Sequence, residues 1–415
     1  MIPKSHIIVN DVEDILATSI KDGAERLLLY FGAAGTSNMV SIRGFAPLLA
    51  HNTNTIVLLD PSRGWYNLPI RGLSRDADDL IAQLINRIGS FPRNMITAYG
   101  TSMGGYAALL FGLKLGVGRI VACAPQLMLD PRLPHAPKVP VKYDAIASLV
   151  TNAPKDTQID IWYGAESFTD LYNLLRLKPR ENLNIHAVSG AMHNVLATLK
   201  RHGELDAFFT YTAMAKPFST KTVKIPTAAT VPLIKAGRLF YVHKNYTAVI
   251  KMLEPIADDV GLSALYVALG ESFFQLQDYE AARSNFERAI VCSHENYDAH
   301  YGLGLVLEKL GKDRAAETSF RRSQEFFPSP NGQRFAKLAS VQYRIGAIDD
   351  ALQNYGLALE LADCPSRVHY EMGLALLQKN RHHEALLHFQ RHQDAYPSFK
   401  PTRTHIARLR KKLNT

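Results

Sequence analysis

The sequence predicts an α/β region built on a mainly parallel sheet, followed by an all-α array of paired helices. Three observations carry this. Short apolar runs rich in β-branched residues alternate with helical stretches through the first half of the chain. A glycine-flanked serine follows one of those runs and opens a helix. Alanines that each begin a similar helix recur at a near-constant spacing through the second half.

A chain of 415 residues exceeds what one hydrophobic core usually fills, so two domains are expected. With 47% apolar and 20% charged residues the composition is that of an ordinary globular protein, which excludes fibrous and disordered classes. The start, from Met1 to Asp14, has acidic residues where a secretory signal carries basic ones before an apolar run. No uninterrupted stretch of about 18 apolar residues is present, which argues against a membrane span. A cytoplasmic protein is the expectation. Cys123, Cys292 and Cys364 are too few and too scattered for a disulfide framework or a zinc spacing, and read as buried thiols; no metal or cofactor is expected. The formal charge of +9 is spread along the chain, and its one dense run, Arg408-Leu-Arg-Lys-Lys, suits the end of a final helix, so no nucleic-acid partner is expected.

The predicted strands of the first half are Leu27–Phe31, Thr55–Leu59, Met95–Tyr99, Arg119–Cys123, Ile159–Tyr163 and Leu183–Val188. Between such strands, helical connections give a mainly parallel sheet with helices on both faces. Functional residues of that architecture sit at the carboxyl ends of the strands.

Gly100-Thr-Ser102-Met-Gly104-Gly follows a predicted strand and precedes a helical stretch through Tyr106-Ala-Ala-Leu-Leu-Phe. This is a G-x-S-x-G elbow in its strand-turn-helix context, a tight turn whose glycines let two backbones pass and lift the serine hydroxyl above the sheet. Ser102 is the candidate nucleophile. The Met103 N–H, at the start of the helix, is the first candidate oxyanion donor. A hydroxyl needs a base, and His193, in the Gly190-Ala-Met-His-Asn-Val loop after the last strand, occupies the expected place in the order serine, acid, histidine. His135, in a proline-rich connection, and His186, within a strand, read as structural or exposed.

After the first apolar strand, Gly32-Ala-Ala-Gly-Thr-Ser offers small residues with accessible N–H groups, with Gly32 at the substrate and Ala33 as second oxyanion donor. Asp60-Pro-Ser-Arg63-Gly-Trp65-Tyr66 also lies at a strand's carboxyl end. Its Arg63, Trp65 and Tyr66 either line a substrate cleft or pack the loop for stability.

In the second half, alanines at 248, 282, 316, 351 and 385 are spaced by 34, 34, 35 and 34 residues. Twelve residues before each stands a small residue, Ala236, Gly270, Gly304, Ala339 and Gly373, and four after each a large apolar one, Met252, Phe286, Phe320, Tyr355 and Phe389. At i, i+4 the large residue shares a helix face with the alanine, where it can fill the gap between paired helices that the small residue lets approach. The region 231–415 is therefore expected to hold five helix pairs, the first irregular because of Pro255, closed by a capping helix near 402–413. Residues 212–230, rich in Pro, Thr and Lys, read as a linker, so that 1–211 is expected to fold alone.

Spacing and residue type make roughly 231–397 resemble the tetratricopeptide repeat family. That resemblance implies a helical superhelix that binds a protein partner or mediates self-association. Residues 1–211 resemble the α/β-hydrolase family. The motif Tyr-Gly-x-Ser-Met-Gly-Gly-Tyr-Ala-Ala-Leu, with a late Asp and His-Asn-Val, is similar to bacterial hydrolases associated with surface polysaccharides and to hydrolase-fold proteins of accessory secretion systems. The family's usual Gly-x-x-Asp reads here Gly164-Ala-Glu-Ser167, so the acid is open between Asp170, Glu166 and Asp130; Asp170 is preferred because Asp-x-x-x-Leu-Leu opening a helix recurs in relatives. The resemblance implies acyl transfer through Ser102, His193 and Asp170 on an acyl ester, with the roughly 30-residue proline-rich segment between two late strands leaving room for a bulky substrate such as an acylated glycan. An O-acyltransferase and an inactive hydrolase fold serving as scaffold are the alternatives.

Overall fold

The computed structural model describes residues 7–12, 15–33, 48, 50–134, 136–137 and 140–413, with the side chains of 7–12 outside the described set. The chain divides into two compact units, residues 1–264 and 265–415.

The first unit holds strands β1 (Ile7–Val12), β2 (Leu16–Ile20), β3 (Leu27–Phe31), β4 (Asn54–Leu58), β5 (Ile96–Thr101), β6 (Arg119–Cys123), β7 (Gln158–Gly164) and β8 (Leu183–Val188). They form one sheet in the order β1-β2-β4-β3-β5-β6-β7-β8. Only β2 runs against its neighbours β1 and β4; the remaining pairs are parallel. The six strands expected from the apolar runs are present. β1 and β2 are additions, because the half-exposed Leu16–Ile20 strand lacks a continuous apolar run.

Helices α1 (Ala77–Ile88), α2 (Met103–Leu115), α3 (Ala147–Thr151), α4 (Phe168–Leu174), α5 (Val195–Arg201) and α6 (Leu205–Met214) complete the sheet unit up to the expected linker. The strands alternate their faces. Leu28, Tyr30, Tyr99, Val121 and Trp162 pack with Phe208 and Phe209 of α6, while Phe31 stacks on Phe111 of α2. Both faces are thus covered, as continuously apolar parallel strands require.

The expected linker is not a free tether. Phe218 packs against the α6 side of the core, and the main chain pairs with the open edge of β8: Ser189 N–H donates to Lys221 O at 3.0 Å and Val223 N–H to Ala187 O at 2.7 Å. An extended segment laid on an edge strand satisfies donors and acceptors that would otherwise face water. Helix α7 (Thr227–Arg238) then starts inside the segment read as linker, continues through a π turn at Leu239–His243, and pairs with α8 (Tyr246–Val260).

This first helix pair belongs to the sheet unit, which moves the division from the expected 211–231 region to 264. The reason is side-chain packing on α4. Phe168 meets Phe240 and Tyr241 with ring centroids 5.8 and 6.0 Å apart, the Tyr241 and Thr169 hydroxyls are 2.8 Å apart, and a Cβ on Gly237 would collide with the Tyr172 ring. The buried face of α8 is Val249, Leu253 and Ala257, one residue on from the expected Ala248 and Met252, both only half-buried.

The second unit continues with α9 (Ser263–Gln275), α10 (Tyr279–Cys292), α11 (Tyr297–Lys309), α12 (Asp313–Phe326), α13 (Gly332–Arg344), α14 (Ile348–Leu359), α15 (Val368–Gln378), α16 (His382–Ala395) and α17 (Lys400–Leu413). Here the repeat positions behave as expected: Ala282, Ala316, Ala351 and Ala385 are fully buried, as are Phe286, Phe320, Tyr355 and Phe389. A Cβ on Gly304 would come within 2.6 Å of the Phe320 ring, and one on Gly373 within 2.7 Å of Phe389. The small residue is what admits the aromatic. Of the cysteines, Cys123 is buried and Cys364 half-buried, but Cys292 is exposed on α10, contrary to the reading of all three as buried thiols. Among the described residues no helix is long and apolar enough to cross a membrane, and no group of three or more His, Cys, Asp or Glu could hold a metal ion.

Candidate functional site

Strand β5 ends at Thr101 and α2 begins at Met103, so the whole reversal falls on Ser102. Its φ of 52° and ψ of −115° lie where side-chain-bearing residues are rarely found and cost about 1–3 kcal/mol. The conformation is held from both sides: Ser102 N–H donates to Cys123 O of β6 at 2.8 Å, and Tyr106 N–H to Ser102 O at 3.0 Å. The glycines are required by close approach. A Cβ on Gly100 would strike the Gly104 main chain, and one on Gly104 would strike the Phe31 carbonyl.

His193 follows β8 in the loop before α5. Its Nε2 lies 3.0 Å from Ser102 Oγ and its Nδ1 2.8 Å from Asp170 Oδ1. These three side chains come from three different strand ends and meet in a continuous hydrogen-bonded series. The imidazole is 27% exposed and the carboxylate 2%. Burial of the imidazole opposes its protonation, but the charge and hydrogen bond of Asp170 outweigh that, so the His193 pKa lies above the ordinary value of 6.5.

Asp170 does not cap α4. Ser167 does, its Oγ accepting from the Asp170 N–H at 3.3 Å, which leaves the Asp170 carboxylate free to face His193. The Ser-x-x-Asp pattern is a capping signal legible in sequence. The other two acids are engaged elsewhere. Asp130 forms a paired contact with Arg132 through both its oxygens, at 2.9 and 2.6 Å. Glu166 is buried, which pushes its pKa up to about 7 against the opposing effect of hydrogen bonds from the Ser263 and Ala264 N–H groups.

Met103 is the first residue of α2, so its N–H has no acceptor within the helix. Ala33 follows β3 and is half-buried. Gly32, expected at the substrate, is buried with both main-chain groups occupied: its N–H donates to Leu58 O at 2.9 Å and its carbonyl accepts from the Tyr66 hydroxyl at 2.9 Å. Trp65 and Tyr66 are 2% and 0% exposed, so of the two roles open to them in sequence they have the packing one and do not wall an open cleft. Both are held in the core, Trp65 edge-on to Tyr106 with ring centroids 5.5 Å apart. Arg63 is exposed. His186 stacks on Trp162 at 3.9 Å, well integrated in the sheet, and His135 lies outside the described residues. The Tyr66 to Gly32 link, across 34 residues, left no signal in the sequence.

A hydroxyl, an imidazole and a carboxylate in series can move a proton from the hydroxyl to Nε2 while the carboxylate holds Nδ1–H and steadies the imidazolium.

The similarity to known proteins falls on the helical array. The TPR repeat family matches residues 270–311, and tetratricopeptide repeat families match 297–330 and 337–398. Anaphase-promoting complex subunit 3 of Schizosaccharomyces pombe is 24% identical over 152 residues, 36% of this chain and 23% of that protein, so the chain spans under a quarter of that relative's length. Among solved structures, YrrB, a TPR protein with an unusual peptide-binding site, is similar at 21% identity over 42% of this chain and 88% of that one, with a TM-score of 0.38. MamA from residue 41 onward, of Desulfovibrio magneticus RS-1, is similar at 16% identity over 43% and 99%, with a TM-score of 0.39. Cut9 with Hcn1, a hetero-tetramer of the anaphase-promoting complex, gives 14% identity over 52% and 40%, with a TM-score of 0.37. The C-terminal region is thus an array of tetratricopeptide repeats, a class of protein-interaction module.

Proposed function

We propose that the sheet unit is a serine hydrolase of the α/β-hydrolase type acting on acyl esters, and that the repeats bring it to a protein partner. The observation that carries this reading is the unbroken series Ser102 Oγ, His193, Asp170, at 3.0 and 2.8 Å, on a strained strand-to-helix turn. A strained turn kept where a plain one would serve is a reason to look for chemistry.

In the proposed reaction Ser102 Oγ attacks the ester carbonyl while His193 Nε2 takes its proton. The tetrahedral oxyanion is met by the Met103 and Ala33 N–H groups. As the intermediate collapses, the C–O bond to the alcohol breaks and His193 returns the proton to the leaving oxygen. Water then attacks the acyl-enzyme, again losing its proton to His193, and the acid and free Ser102 are released. Asp170 stays ionised throughout and fixes the imidazole tautomer. A sugar hydroxyl in place of water would make the same unit an O-acyltransferase. Between β6 and β7 the described chain carries only the short α3, which suits a bulky ester such as an acylated glycan.

The test is turnover of p-nitrophenyl acetate by the full chain and by Ser102→Ala and His193→Ala. Each variant is expected to lose at least about 10³-fold, and the double variant little more, since members of one catalytic unit are strongly non-additive. Ester turnover equal to that of the unsubstituted protein in Ser102→Ala would leave the repeats as the working part and the sheet unit as scaffold.

A further inference from the structure

We infer that Tyr66 is a positioning residue of the oxyanion site: its buried hydroxyl fixes the peptide plane between Gly32 and Ala33 and so aims the Ala33 N–H. The inference rests on the hydrolase reading above.

A main-chain donor cannot be aimed by choosing a rotamer. Its direction is set by the plane of its own peptide, and it stabilises an oxyanion only when it points to where the charge develops. In a trans peptide the C=O and N–H of one unit point in opposite directions. The carbonyl of the unit that ends in the Ala33 N–H is that of Gly32, and it accepts from the Tyr66 hydroxyl at 2.9 Å, with Leu58 O 3.1 Å from the same hydroxyl. Tyr66 is fully buried, so the carbonyl is drawn into the core and the N–H is turned away from it.

The plane is also backed against the nucleophile's helix. A Cβ on Gly104, two residues after Ser102, would come within 2.9 Å of the Gly32 oxygen. The same peptide therefore touches the elbow on one side and Tyr66 on another.

Tyr66 is itself held firmly. Its N–H donates to the buried Asp60 carboxylate at 2.9 Å, and its ring stands edge-on to Phe31 and Phe111, with centroids 5.6 and 6.2 Å away. Arg63, Trp65 and Tyr66 all have φ between 56° and 58°, left-handed values that residues with side chains seldom adopt. Burial keeps the phenol protonated far above its usual pKa of 10, so it donates at any working pH.

In the full-length protein Tyr66→Phe retains the ring and removes the hydroxyl. The expected kcat on p-nitrophenyl acetate falls by about tenfold, part of the 10²–10³-fold lost with an oxyanion donor itself. KM and the acid limb of the pH profile of kcat/KM should stay unchanged, because binding and His193 are untouched. Phenylboronic acid, which forms a tetrahedral adduct on a serine hydroxyl, should bind weaker by a similar factor. Asp60→Asn leaves the hydroxyl and loosens the main-chain hold on Tyr66. It should give a smaller loss in the same direction, and it decides the matter should the Phe variant not fold. Unchanged kcat and boronate affinity overturn the inference, and so does a loss accompanied by equal changes in KM and in the acid limb, which marks general loosening. Turnover that persists in Ser102→Ala, run beside these variants, sinks the hydrolase reading instead.

Discussion

In the sheet unit the neighbours in space are distant in sequence, whereas from α10 to α17 each helix packs on its neighbour in sequence. β3 lies between β4 and β5, and Ser102, Asp170 and His193 come together from the ends of β5, β7 and β8. Phe320, by contrast, meets Gly304 only sixteen residues away, and the same pairing recurs at Phe389 and Gly373. A repeat writes its packing into the sequence at fixed spacing, and a sheet does not. An array can therefore be shortened by units, while the sheet unit needs the segment that covers its β8 edge. The first helix pair tests the distinction, because it lies in the repeat spacing, yet Gly237 of α7 and Phe240 and Tyr241 of the π turn that follows it pack on α4, the helix that carries Asp170.

Truncation separates the two regions most strongly. Residues 1–211 lack Phe218, the strip that covers β8, and the Tyr241 and Gly237 contacts on α4. That fragment is expected to be insoluble or inactive. Residues 1–276, which keep α9 whole and with it the Ser263 and Ala264 donors to Glu166, are expected to be soluble and to retain ester turnover. Full activity of 1–211 would restore 212–230 as a true linker.

Next in size is a core change confined to the array. Phe320→Ala opens a cavity beside Gly304 and should cost about 3–5 kcal/mol of array stability, read by chemical denaturation. Turnover of a small ester at low temperature should be unaltered. A parallel loss of turnover would show that the repeats are not energetically separate.

Within the site, Asp170→Asn should lower kcat by more than about 10²-fold and Glu166→Gln by less than about tenfold, since the Asp170 carboxylate lies 2.8 Å from His193 Nδ1. The reverse order would move the acid to Glu166. The smallest expected effect is on pH. His193 must be neutral to accept the Ser102 proton, and its pKa is raised, so kcat/KM should fall as pH drops through an inflection above 6.5. In Asp170→Asn the carboxylate charge is lost and burial remains, so the inflection of the residual activity should move below that of the unsubstituted protein. An unshifted inflection would detach Asp170 from His193.

The parts of this molecule legible in sequence are those whose physics is local. Gly100 and Gly104 announce the elbow because a Cβ at either would collide, and the small-residue and aromatic spacing announces the repeats. Ser167, the cap that releases Asp170 toward His193, was present as Ser-x-x-Asp. What escaped is long-range. The Tyr66 hydrogen bond to Gly32 crosses 34 residues. The docking of α7 and its π turn depends on Phe168 and Tyr172 on a helix more than sixty residues earlier, and the composition at 212–230 suggests a tether where main-chain pairing with β8 makes it part of the sheet.

Covalent labelling reads out directly whether Ser102 is a nucleophile. The full chain is treated with a fluorophosphonate, which reacts with activated serines, and the adduct is located by mass spectrometry of the digested protein. A single stoichiometric adduct is expected on Ser102, abolished in His193→Ala and much slower in Asp170→Asn. No adduct, or one on another residue that persists in His193→Ala, would contradict it.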